Sequence, residues 1–167
     1  FSWISQCDAS HLPPAVHPVL FTELDLYDNN RHRPVIVSVW YPAQTSCEDA
    51  RICLAQHTKL KKAVVFSHGA MGAAKGYSWI GKLFAAQGYV TVGVNHYGES
   101  WVYGPEHVNP AAALQFWERP LDISFVLDQL TANQLTAPPA TSTGSTYTTK
   151  SQPIFNRTIA WDHIIAV

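Results

Sequence analysis

The sequence predicts an α/β fold built on a largely parallel sheet, and three stretches carry that prediction. The first is KAVVFSHGAMG at 62–72, where Ala63, Val64, Val65 and Phe66 run without period-2 alternation, as a strand buried on both faces requires, and then break into a glycine-punctuated loop. The second is the segment at 77–88, with Ile80, Leu83 and Phe84 at helical spacing and Gly88 as a stop. The third is YVTVGV at 89–94, another apolar run rich in β-branched residues. Strand, loop, helix and strand form a βαβ unit. Its loops leave the sheet at the carboxyl edge, where open α/β folds bind ligands and unpaired backbone N–H groups can face an anion.

Residues 1–18 mix aromatic, polar and proline residues without a period and read as an irregular lead-in. Strand character at 19–26, a turn cluster at Asp28, Asn29 and Asn30, and VIVSVW at 35–40 make an antiparallel hairpin ending in Trp40, Tyr41 and Pro42. Residues 43–60 read as a polar excursion carrying Cys47 and Cys53. After the third stretch, the loop at 95–104 leaves the same sheet edge as His68, and its Tyr97, Glu99, Trp101 and Tyr103 are candidates to wall a pocket, against ordinary packing or, for Glu99, a structural ion pair. A short helix is expected at 111–117. A stronger one starts near Pro120, whose fixed φ suits a first helical position, and places Ile123, Val126, Leu127 and Leu130 on one face. Residues 131–153, dominated by Thr, Ser, Pro, Ala and Gly, read as a flexible insertion, and 163–167 as a last strand.

Composition narrows the function. A length of 167 residues suits one domain with a sizeable core, and 47% hydrophobic against 14% charged residues describes a globular chain. Eleven Lys+Arg against twelve Asp+Glu leave no basic stripe for a phosphate backbone, so nucleic acid is not an expected partner. No apolar run approaches the roughly 18 residues of a membrane span. The histidines show neither H-E-x-x-H nor Cys-His spacing, so neither a metal nor another cofactor is expected. Three cysteines leave two readings open, a Cys47–Cys53 disulfide or unpaired thiols. The start at Phe1 fits a processed secreted or periplasmic protein, or a trimmed chain. Asn156-Arg157-Thr158 matches a glycosylation sequon, a match that chance readily supplies.

VVFSHGAMG, NHYGES at 95–100 and ERPLDISFVLDQL at 118–130 resemble the α/β-hydrolases of the dienelactone-hydrolase and platelet-activating-factor-acetylhydrolase-like branch, over roughly residues 20–167. The resemblance implies that this single domain is the N-terminal portion of an α/β-hydrolase sheet, a hairpin then parallel strands with crossover helices, incomplete at the edge after the last strand. In that family the His-Gly loop supplies an oxyanion-hole N–H, which here falls to Ala70, with Met71 beside it and His68 and Gly69 in support.

A serine hydrolase also needs a nucleophile, a histidine base and an orienting acid. No G-x-S-x-G occurs, and neither Ser67 nor Ser100 has the small flanking residues of a nucleophile elbow. In the hydrolase order Ser, Asp, His, all three therefore fall beyond Val167, and His68 braces the loop. The expected activity is hydrolysis of a small-molecule carboxylic ester through an acyl-enzyme, completed by the C-terminal half of the same protein. This chain alone is expected to be inactive. The alternative is a non-catalytic hydrolase-like module that binds a ligand or partner.

Overall fold

The computed structural model describes residues 17–44, 52–60, 62–132 and 154–167. The lead-in at 1–16, Cys7, Cys47 and nearly all of the 131–153 segment lie outside them. Cys53 is disulfide-bonded.

Among the described residues, five strands form one sheet in the order β1-β2-β4-β3-β5. β1 (Val19–Asp28) and β2 (Arg33–Pro42) make the hairpin, each longer than the sequence suggested because ladder pairing runs on to Asp28 and Arg33. Asp28 closes the turn with its own carboxylate, which accepts from the backbone N–H groups of Asn30 and Arg31. β3 (Ala63–Ser67) and β4 (Val90–Val94) pair in parallel, and β4 also pairs antiparallel with β2. β5 (Ile164–Ala166) runs parallel to β3, Ala63 opposite Ile164, and its apolar side chains are exposed. Strand, helix and strand alternate from β3 to β4 in a mixed sheet, so the fold is α/β.

Side-chain alternation along each strand sends two apolar sets to opposite faces. Val35, Val37, Val39, Val65, Val90 and Val92 meet Val126 and Leu130 of α2 (Glu118–Thr131). Trp40 and Phe66 meet Ala74 and Ala85 on the side of α1 (Ser78–Ala86). α1 approaches closely because Gly81 has no Cβ: one placed there would stand 2.2 Å from Cδ2 of Trp40. Gly88, at φ +94, ends this helical region two residues after α1, as a left-handed cap does.

Three boundaries differ from expectation. α2 begins at Glu118, two residues ahead of Pro120, which the first turn accepts because the N–H that proline lacks would have no intrahelical partner there. The helix expected at 111–117 is a short 3₁₀ turn, Pro110–Leu114, capped by Asn109. The polar excursion at 43–60 returns to the core at Ile52 and Leu54, which are fully buried. Asn156, the sequon residue, holds that segment by accepting from the Leu54 N–H at 2.9 Å.

Candidate active site

Two loops leave the carboxyl edge of adjacent parallel strands, His68 to Gly72 after β3 and Asn95 to Ser100 after β4. Asn95 anchors the second. Its amide donates to Ile36 O and Ser38 Oγ, and its oxygen accepts from the Ala74 N–H and Ser100 Oγ, so every polar atom of this buried side chain is used.

His68 joins the loops. One ring nitrogen, Nδ1, lies 2.7 Å from Gly69 O, and the other, Nε2, accepts the backbone N–H of His96 at 3.2 Å. A carbonyl only accepts and an amide N–H only donates, so these partners assign the neutral Nδ1–H tautomer. Burial, reinforced by the charge of Arg119, pushes the His68 pKa down to about 4.

This histidine controls a peptide plane. Gly69 O accepts from both His68 Nδ1–H and the Gly72 N–H at 3.0 Å. In a trans peptide the carbonyl and the next N–H point in opposite directions, so the Ala70 N–H is held facing away from these two donors. Among the described residues nothing accepts from the N–H of Ala70 or Met71. Residues 69–72 are turn rather than helix, Ala70 is exposed, and Met71 sits at φ 59, a left-handed conformation that costs a non-glycine residue about 1–2 kcal/mol.

The other expected site residues divide. Glu99 is buried and points at Arg119, which binds both of its oxygens and also donates to His68 O at 2.8 Å. Burial alone would raise the Glu99 pKa, but the Arg119 hydrogen bonds and charge outweigh it and hold the carboxyl below its usual range. Tyr103 is packed edge-on against Tyr97, and its hydroxyl accepts from the Ile36 N–H at 2.8 Å and donates to Asn95 O at 2.9 Å. Its ring belongs to the scaffold. Tyr97 reaches His107. Trp101 is 51% exposed, alongside Phe116 and Trp117 at 69% and 54%, two aromatics that the sequence reading passed over.

A buried constellation was missed as well. Ser67 Oγ lies 2.8 Å from His96 Nε2, and His96 Nδ1 lies 2.9 Å from Asp122 Oδ2. His96 is 1% exposed and Asp122 0%. Asp122 is bracketed by Arg33, 3.2 Å from Oδ2, and Arg31, an ion pair 2.9 Å from Oδ1 without hydrogen-bond alignment, while both arginines also reach Glu118. These are the contacts of a Ser-His-Asp triad, but Ser67 is no elbow residue. Its N–H is still in the ladder, donating to Val167 O, and its side chain shares the strand face of Val65, toward α2. The usable signal was spacing: Asp122 lies four residues before Val126 and eight before Leu130, on the buried stripe of α2.

Among the described residues no group of three or more His, Cys, Asp and Glu could hold a metal ion, and no helix is long and apolar enough to cross a membrane.

No family model matches the chain, and no curated protein matches it. Among solved structures it is similar to a ferulic acid esterase from Streptomyces cinnamoneus, with 19% identity and a TM-score of 0.55, over 89% of this chain and 51% of that one. The chain thus spans about half the length of that structure. At this identity the likeness is one of fold, an α/β architecture shared with an esterase.

Proposed function

We propose that this chain is the oxyanion-loop portion of a serine carboxylic-ester hydrolase acting through an acyl-enzyme, in the dienelactone-hydrolase and platelet-activating-factor-acetylhydrolase-like branch. The observation that carries the reading is the pinned Gly69–Ala70 peptide, which leaves an unpaired N–H at the carboxyl edge of a parallel sheet. When a nucleophile adds to an ester carbonyl, negative charge gathers on its oxygen, and a donor already fixed in place stabilises that charge without reorganising. Ala70, with Met71 as its neighbour, supplies that donor. The esterase named in the fold comparison supports the reaction class.

Nucleophile, acid and base lie beyond Val167 in this reading. Val167 both accepts from the Ser67 N–H and donates to Val65 O, so the chain leaves β5 right beside the His68 loop. A serine placed shortly after Val167 would lie near the loop that carries the Ala70 donor. The substrate is a small-molecule carboxylic ester.

The test compares residues 1–167 with a longer chain that extends past Val167. The longer chain is expected to hydrolyse a short-chain aryl ester and to take up a fluorophosphonate on a serine past Val167, and residues 1–167 to do neither. Inhibitor-sensitive hydrolysis by residues 1–167, or an adduct on Ser67, overturns the proposal. Inactivity of both leaves a non-catalytic binding module.

A further inference from the structure

The Ser67, His96 and Asp122 contacts are left unused by that mechanism, yet they cost the fold a buried carboxylate, two half-buried arginines and a buried histidine. Buried charge of this kind is weak as a source of stability. What it does here is fix geometry.

The connections run in one direction. Asp122 lies on α2, bracketed by Arg31 and Arg33 from the β1–β2 hairpin, and accepts from Nδ1–H of His96. At the other end of the ring, Nε2 of His96 meets the hydroxyl of Ser67, the residue before His68, at 2.8 Å. The imidazole is thus held at both ends, and with it the backbone of His96. That backbone N–H donates to Nε2 of His68, which forces the His68 proton onto Nδ1, the nitrogen that holds Gly69 O. Gly69 O and the Ala70 N–H share one rigid peptide.

We propose that Asp122 and His96 are positioning residues that set the tautomer of His68 and so the direction of the Ala70 N–H, an inference that rests on the oxyanion reading above. Ser67 is the second hold on the same imidazole rather than a nucleophile. Arg119 steadies the loop from another side, through His68 O, and does not touch the tautomer.

The test is a double-mutant cycle in the longer, active chain. Ala70→Pro removes the donor and is expected to lower kcat on an aryl ester about a hundredfold. Asp122→Asn puts an amide in place of one carboxylate oxygen, facing either His96 and Arg33 or Arg31, and is expected to lower kcat about tenfold with KM within about twofold, by misplacing the donor. Combined, Asp122→Asn and Ala70→Pro should match Ala70→Pro alone within about twofold, because a positioning residue has nothing left to position. Histidine-selective 15N spectra should show His68 as Nδ1–H in the parent and as a mixture of tautomers in Asp122→Asn. Where Asp122→Asn does not fold, Ser67→Ala, which leaves the arginine cluster intact, carries the same cycle with a smaller expected loss of about threefold. Multiplicative losses, or an unchanged His68 spectrum in a folded Asp122→Asn or Ser67→Ala protein, overturn the positioning role. An Ala70→Pro protein with undiminished kcat overturns the oxyanion reading instead.

Discussion

Lowering the pH should cost the fold the contribution of a neutral His68, and the size of the effect follows from its burial. Its pKa stands at about 4 in the fold against 6.5 in the open chain. The unfolded state therefore binds the extra proton first, so the contribution of His68 to stability is complete above pH 6.5 and is lost as pH falls toward 4. Two and a half units at about 1.4 kcal/mol each amount to about 3 kcal/mol, of which about 2 is gone by pH 4.5. Stopping there leaves most of the loss from Asp28 and Glu99 still to come, because their lowered values make their losses begin near the ordinary carboxylate range. The cause is specific: a proton on Nε2 would face the His96 N–H, donor against donor. The assay is urea unfolding of the parent and of His68→Gln between pH 7 and 4.5, taking the difference at each pH so that the other histidines cancel. That difference should shrink by about 2 kcal/mol toward pH 4.5. A pH-independent difference would refute the argument that His68 is held neutral.

Three further outcomes stem from the packing. Gly81→Ala drives a Cβ into the Trp40 ring, and overpacking of a rigid indole should lower stability by about 3 kcal/mol, read by thermal unfolding. Arg119→Met leaves the buried Glu99 carboxylate unpaired at a cost of about 3 kcal/mol at pH 7. The Arg119→Met deficit should narrow near pH 4, since without its main opponent burial raises the Glu99 pKa and the group takes up a proton; an equal deficit at both pH values argues against the pair. Tyr103→Phe orphans the Ile36 N–H and should cost about 1–3 kcal/mol, with faster amide exchange at Ile36 as its local signature.

How legible all this was depended on what each residue type can do. The strands at 63–67 and 90–94 were readable because β-branched runs buried on both faces have few other places to go. The start of α2 was readable to within two residues and no closer, because Pro120 is as comfortable at the third helical position as at the first. Ile52 and Leu54 were hidden by polar neighbours, since a loop that dips into the core has no period to detect. At the site, the glycines and His68 marked the loop. The partners of Glu99, Tyr103 and His96 were invisible, because their hydrogen bonds reach Arg119, Ile36 and Asp122 through tertiary contacts that local spacing does not encode.

The strand order carries a consequence for how the chain reaches this state. β4 lies between β2 and β3, so the hairpin and the βαβ unit are two locally closed pieces that share no ladder until β4 docks. Each piece needs only short-range closure, whereas bringing Val37 against Val94 spends the entropy of a long loop before any contact repays it. The rate-limiting barrier should sit at that seam. Val39→Ala in β2 should slow folding nearly in proportion to its loss of stability, while a truncation at Leu130 of α2, which belongs to neither piece, should mainly speed unfolding.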